Sequence, residues 1–436
     1  GPVRVAGRAP CRSMPAEVPS GIGTRRPPSS ELTMATDPSF QNAIAFAQEL
    51  IRIPSLPGAE GDVAARVLKE MKDLGYDEVE VDSLGNVIGL VRGGGEGPPV
   101  LMNCHMDIVA AGDPSEWEYP PFGGVVEGGC LHGRGAMDIK GPLSIQTHVA
   151  PLMRGRLDGD LIVAHTVFEE RGGWGMNHFL DVTPVRPGAV IIGESTHGDV
   201  TLGHRGRAEV EVVIRGLAGH ASVPERARNA LDLLPAVLAA VARLAGEQAS
   251  DPILGPASVV PTMVDVRPES RNVIPDEVVI TLDWRVLPGQ TSEQLLADVG
   301  RELDGALEGA DLEGRGVEVR MAKEMQESYT GLSELRDLFT PGFLMDREHP
   351  LIEAAAAAVG RREDPSTPAA VRPWAFATDG GWSCGVAGIP TLGFAPGEER
   401  FAHTNRERLD LAEAEWAFGR HLELIEAVQG ALGQRS

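Results

Sequence analysis

The chain has 436 residues and a formal charge of -24, with 42% hydrophobic and 23% charged residues. A chain of that length has room for two or more domains that each bury a core. Its acidic balance argues against partners met through cations, such as a nucleic-acid backbone or an anionic membrane surface. No run of about 18 apolar residues occurs, so no stretch is long enough to cross a membrane as a helix. Cys11, Cys104, Cys130 and Cys384 show no paired spacing. That spacing suggests neither a disulfide framework nor a thiolate metal site, and a reducing, cytoplasmic setting is the default expectation.

Residues 1–33 are rich in Pro, Arg and Ser and lack hydrophobic periodicity. They are expected to form a disordered leader outside the fold, with Met34 as the native start. From Pro38 onward the pattern is regular. Apolar residues at helical spacing predict helices over 40–53 and 60–75. Apolar runs bounded by Gly and Pro predict strands over 78–82, 86–92 and 99–104. A helix over 140–154, a buried strand over 160–168, a helix over 174–181 and a buried strand over 189–193 follow. Helices alternating with continuous apolar strands imply an α/β fold, a mixed, largely parallel sheet flanked by helices.

The middle of the chain has another style. Residues 207–215 alternate polar and apolar, as a strand with one wet face does. A helix over 229–245, strands over 257–266 and 277–286, a helix over 292–306 and a strand over 316–321 come next. This β-α-β-β-α-β order fits a ferredoxin-like α+β unit inserted into the first domain. The buried α/β style returns with a helix over 350–360, a strand over 389–395 and a last helix over 411–430. The expected division is a catalytic domain over 34–205 and 336–436, interrupted by a lid or dimerisation domain over 206–335.

Several strand ends and adjoining loops offer metal donors. His105 and Asp107 close the run LMNCHMD. Positions i and i+2 of a strand share a face, so Asp107 can hold the second nitrogen of His105, as carboxylates do behind metal-bound imidazoles. Asp138 stands in GRGAMDIKG before a helix, where it could equally be an N-cap. Glu169 and Glu170 end LIVAHTVFEE, where two carboxylates repel unless a cation makes use of them. One of the two could bind metal while the other handles a proton. Glu194 follows AVIIG, and His403 lies in FAHTN. Ligand crevices in open α/β sheets sit at the carboxyl ends of strands. Imidazole and oxygen donors without thiolates suit zinc, cobalt or manganese.

NCHMDIV, LHGRGAMDIKG, FEERGG, GES, GLAGHASVPERARNA, RNVIPDEVVITLDWR and FAHTNRE follow one another in this order. On these motifs the chain, over roughly 36–430, resembles the family of acetylornithine deacetylase, succinyl-diaminopimelate desuccinylase, aminoacylase and glutamate carboxypeptidase. Its members are dinuclear zinc hydrolases. WAFAT and GFAPGEERFAH are most similar to its selenium-metabolism hydrolase subgroup. The resemblance implies two Zn2+ per subunit, with Co2+ or Mn2+ as alternatives. It implies that His105 and Glu194 bind one ion, Glu170 and His403 the other, and Asp138 both. It further implies Asp107 as the residue orienting His105, Glu169 as general base, and His220 as a residue that reaches a neighbouring subunit's site. Asn272 and Arg285 match positions that hold a substrate carboxylate. Glu at position 194 is the choice of deacylases and carboxypeptidases more than of aminopeptidases. Ile139, where Met is common, and Arg406, where Asn or Asp is common, depart from the pattern.

The expected function is hydrolysis of an amide bond in an N-acyl amino acid or small peptide-like, carboxylate-bearing substrate by a homodimer. Alternatives are a di- or carboxypeptidase of the same family, a catalytically silent metal-binding protein, and a thiol hydrolase built on Cys104 or Cys384. The thiol reading competes poorly, because Cys104 points to the strand face opposite His105 and reads as a core residue.

Overall fold

A computed structural model describes residues 38–433. The expected leader lies outside these residues. The chain opens with two helices, α1 (Pro38–Ile51) and α2 (Gly61–Asp73). On α1, Phe40, Ala43, Ile44, Ala47, Leu50 and Ile51 are buried, the stripe that the three-and-four spacing predicts. Strands β1 (Glu78–Val81), β2 (Val87–Val91) and β3 (Val100–His105) follow, then α3 (Lys140–Val149), β4 (Leu161–Thr166), α4 (Trp174–Val182), β5 (Ala189–Ile192) and β6 (Val200–Thr201).

After an insertion, the first core is completed by α7 (Pro350–Val359), β11 (Val371–Arg372), β12 (Thr391–Gly393) and α8 (Leu411–Gly433). The eight strands order as β1-β2-β4-β3-β5-β12-β6-β11. The run β4, β3, β5, β12 is parallel throughout. All residues of β3, β4, β5 and β12 are buried, as expected of strands covered by helices on both faces. The antiparallel pairs lie towards the sheet's two edges. Register aligns the carboxyl ends: His105 pairs with Thr166, Asn103 with Ile192, and Ile192 with Gly393.

The insertion holds β7 (Gly206–Arg215), α5 (Leu234–Gly246), β8 (Ser258–Arg267), β9 (Glu277–Val286), α6 (Ser292–Leu307) and β10 (Gly316–Met321). These strands form an antiparallel sheet of order β8-β9-β7-β10, the ferredoxin-like arrangement. Ala208, Val210, Val212 and Ile214 from β7 join Val278, Ile280, Leu282 and Trp284 from β9 in a second core with Val237, Val241, Leu295 and Val299 of the two helices. The period of two therefore turns Arg207, Glu209, Asp283 and Arg285 to the opposite face of the sheet. Thr291 and Gln294 close a reciprocal capping box at the start of α6.

Local differences from the sequence reading have local causes. The strand expected over 160–168 stops at Thr166, because Phe168 turns into the left-handed region at φ 56°. The helix expected over 140–154 passes into a 3₁₀ turn at Ala150–Met153 around Pro151. The helix expected over 229–245 begins as a 3₁₀ turn, and α5 proper starts at Leu234 with Pro235 in its first turn. The hairpin Lys323–Glu327 with Ser333–Asp337 was not expected; it is polar and largely exposed, so it lacks the alternation that marks a half-buried strand.

Candidate active site

His105 ends β3 and is 2% exposed. Its Nδ1 lies 2.8 Å from the Asp107 carbonyl oxygen and 3.5 Å from the Asp107 carboxylate. A carbonyl only accepts, so Nδ1 carries a proton, and Nε2 is the nitrogen turned to the cleft. Nε2 stands 3.2 Å from Glu194 Oε1, 3.4 Å from Asp138 Oδ1 and 4.0 Å from Glu169 Oε2. On the other side, His403 Nε2 lies 3.1 Å from Asp138 Oδ2 and 3.0 Å from Glu170 Oε1. Asp138 therefore faces one imidazole with each oxygen. It is not an N-cap: the cap position of α3 is Ile139, with no side-chain cap bond.

Glu169 and Glu170 do not sit on a strand. They form a 3₁₀ turn, Glu169–Arg171, between Phe168 and Gly172, both left-handed. The fully buried Asp107 carboxylate accepts the Glu169 amide at 3.1 Å through Oδ1 and the Glu170 amide at 3.0 Å through Oδ2. Sequence reasoning found Asp107 but gave it the imidazole alone.

A second layer of buried carboxylates supports the first. Glu60 accepts the Phe168 amide at 3.3 Å. Asp379 accepts the Thr166 hydroxyl at 2.7 Å, beneath the end of β4. Glu407 accepts the amides of Met137 and Asp138, both at 3.2 Å, and pairs with buried Arg134. The sequence reading assigned no role to Glu60, Asp379, Glu407 or Arg134. Glu407 lies inside the quoted motif FAHTNRE and Arg134 inside LHGRGAMDIKG, the available signals. Glu60 and Asp379 are scattered polar residues until the chain is folded.

Burial pushes the carboxyl of Glu194 up to about 7, Glu60 to about 8, Asp379 to about 6 and Glu407 to about 7. The Glu169 and Glu170 carboxyls are raised by burial too, with neighbouring carboxylates adding to the shift. Asp138 goes the other way: burial would raise its carboxyl, but hydrogen bonds from His105 and His403 outweigh that and lower it. So many carboxylates gathered out of water cost free energy as anions, and divalent cations among them would offset that cost.

The donor set fits such cations. Among the described residues, His105, Glu169 and Glu194 bring one ligand atom each within 4.8 Å of one another, and so do His105, Asp138 and Glu170. The donors are imidazole nitrogen and carboxylate oxygen, without thiolate. Cys104 is buried, and its sulfur lies where a side chain at Gly193 would go. Burial raises the thiols of Cys104 and Cys384, the latter to about 11, which leaves both poor nucleophiles at neutral pH.

The cluster opens into a cavity of about 380 Å³ lined by Asp138, Glu169, Glu170, Glu194 and His403. Arg207, Arg285, Thr340, Phe376 and Glu399 are among its other lining residues. Arg285 is therefore in the cleft, as expected of a substrate residue, and Arg207 and Phe376 are lining residues that sequence reasoning missed. His220 and Asn272 do not line it. They meet each other on the insertion, where Gly219–His220 pairs with Val273–Ile274 and the Ala221 amide donates to Asn272 O at 3.0 Å.

A parallel α/β sheet that presents an imidazole–carboxylate cluster at its strand ends, faced by an inserted antiparallel layer, defines a metal-dependent amidohydrolase. The chain belongs to the peptidase family M20/M25/M40, which matches residues 101–427. It is 28% identical to the uncharacterised protein YgeY of Escherichia coli K12 over 372 residues, covering 83% of this chain and 88% of that protein. It is 27% identical to the succinyl-diaminopimelate desuccinylase of Methylorubrum extorquens over 401 residues, covering 86% and 96%. Among solved structures, the metallo-carboxypeptidase Sso-CP2 of Sulfolobus solfataricus superposes with a TM-score of 0.68 at 15% identity, covering 90% of this chain and 99% of that one. The YXEP protein of Bacillus subtilis, described as a dinuclear metal binding peptidase, gives 0.64 at 18% identity, covering 90% and 98%.

Proposed function

We propose that this chain hydrolyses the amide bond of an N-acyl amino acid or a small peptide-like substrate. The observation that carries this reading is the position of Glu169 beside the convergent donors His105, Asp138, Glu170, Glu194 and His403, in a cleft that Arg285 also lines. His105 and Glu194 would hold one cation, Glu170 and His403 a second, and Asp138 both. Zinc, cobalt and manganese suit these donors. When bound, such cations polarise a carbonyl and make water acidic enough to ionise near neutral pH.

Glu169 accepts the proton of the attacking water and returns it to the departing amine, so the cleaved C–N bond leaves a carboxylate and a free amine. Burial raises its carboxyl above the ordinary carboxylate range, which favours taking up a proton. Asp107 keeps His105 in the tautomer that offers Nε2 and holds the Glu169–Glu170 turn in place. Arg285 holds a substrate carboxylate. The similarity to a succinyl-diaminopimelate desuccinylase supports an acylated amino acid as substrate.

The working unit in this reading is a homodimer in a cytoplasmic setting. The free thiols of Cys104, Cys130 and Cys384 support the reducing compartment. β8 is an edge strand with Val260, Met263 and Val264 exposed, a surface suited to a second copy. A second copy would also bring His220 and Asn272 to a cleft they do not line in their own chain. Light scattering should give twice the chain mass, and a fully active monomer would remove the dimer and the role of His220 together.

The decisive experiment is free-amine release by metal-reconstituted protein across N-acyl amino acids and dipeptides, with and without chelator. Chelator-sensitive release from one class supports the reading and names the substrate group. Release that survives chelation would overturn it.

A further inference from the structure

Arg207 of β7 and Arg285 of β9 are direct cross-strand partners, and both line the cavity that contains the donor cluster. Like charges placed opposite one another on a sheet repel. Asp283 is what holds them together: Oδ2 accepts from Arg207 Nε at 3.1 Å and from Arg285 Nη2 at 3.4 Å, and Oδ1 accepts from Arg285 Nε at 2.9 Å. Glu209 accepts from Arg207 Nη2 at 2.6 Å. Both guanidiniums are thus pinned through Nε and Nη2. Among the described residues, Nη1 of each has no partner.

A quartet that only stabilised the sheet would have no reason to sit on its cleft-facing side with two donor groups unspent. We propose that Arg207 and Arg285 together grip one carboxylate of the substrate, and that Arg207 is a specificity residue of this cleft. Planar forks fixed side by side match a carboxylate in a way that a mobile ammonium does not. Arg207 also lines an adjoining cavity of about 510 Å³, where apolar Leu56, Ile108, Val109 and Phe339 stand with charged Glu170, Arg171 and Glu209. The group beside the gripped carboxylate therefore meets a mixed wall. The substrate is an N-acyl amino acid with its carboxylate free, which rests on the hydrolase reading above.

The test is calorimetric binding of N-acetylleucine and of its carboxamide to metal-loaded wild type, R207A, R207K and R285A, with thermal unfolding as a check on folding. Wild type should bind the acid at least about tenfold more tightly than the amide. R207A and R285A should each lose most of that preference, and R207K should keep a part of it. Equal binding of acid and amide by wild type, or binding of neither, overturns the clamp. So does a full preference in R207A. Amine release from N-acetylleucine, followed separately, keeps the two readings apart. Chelator-sensitive release without acid preference removes the clamp alone. An Arg-dependent preference without release removes the hydrolase alone.

Discussion

The Asp107 carboxylate takes the backbone amide of Glu170 at 3.0 Å while its neighbouring oxygen takes that of Glu169, and its own carbonyl fixes the ring of His105. One buried residue therefore sets the position of three others, two of them through its side chain. Asp107→Ala should lower metal affinity by about 10- to 100-fold. Asp107→Asn keeps one acceptor and should lose less. Calorimetric metal titration measures both, and wild-type affinity in the alanine variant would show that the turn holds itself.

Glu169→Gln removes the proton acceptor without changing the size of the side chain. Metal stoichiometry should stay as in wild type while kcat falls by about 10²- to 10⁴-fold. Turnover near wild type would take Glu169 out of the proton-transfer role.

The two imidazoles differ sharply in exposure: the His105 side chain is 2% exposed and that of His403 is 52%. An ion held by His403 and Glu170 should exchange with solvent chelator before one held by His105 and Glu194. Stopped-flow chelation should therefore show two phases, and His403→Ala should abolish the faster one. A single phase in wild type would mean that exposure does not control release.

Arg134 and Glu407 form a buried pair that also anchors the amides of Met137 and Asp138. Glu407→Ala leaves a guanidinium buried without its counter-ion, which costs about 3–5 kcal/mol. Urea unfolding of the metal-free protein should show a loss of that order. A loss below about 1 kcal/mol would indicate that water reaches Arg134.

His421 of α8 is buried, with Nδ1 2.8 Å from the Ala417 carbonyl, and burial pushes its pKa down to about 4. The unfolded value is about 6.5. The unfolded chain therefore takes up a proton first as pH falls, and stability declines between about pH 6.5 and 4, by on the order of 3 kcal/mol for this group. His421→Leu should flatten the acid limb of a melting-temperature profile of the metal-free protein. An unchanged slope would assign the acid sensitivity elsewhere; His165, lowered to about 3 by burial, and His204, lowered to about 4 by burial, are the next groups to examine.

Legibility in the sequence followed the range of the interactions involved. The stripe of α1, the buried runs of β3 to β5 and the alternation of β7 were readable because each depends on spacing within one element. The donors His105, Asp138, Glu170, Glu194 and His403 were readable as residues at strand ends and in adjoining loops that share an ordered set of motifs. The hairpin over Lys323–Glu327 and Ser333–Asp337 was not, because both strands are mostly exposed and carry no period.

What the sequence determined by itself was the alternation of elements, the parallel sheet with its inserted antiparallel unit, and the chemical kinds of side chain gathered at strand ends. Local periodicity and donor chemistry are properties of residue order, so they survive without coordinates. The tertiary structure alone decided that Asp107 spends its carboxylate on the Glu169–Glu170 turn, that Glu60, Asp379 and Glu407 lie buried behind the donors, and that Arg207 stands beside Arg285 across two strands. These relations join residues far apart in the chain. A hydrogen bond or a shared counter-ion is set by distance in space, which residue order does not encode locally.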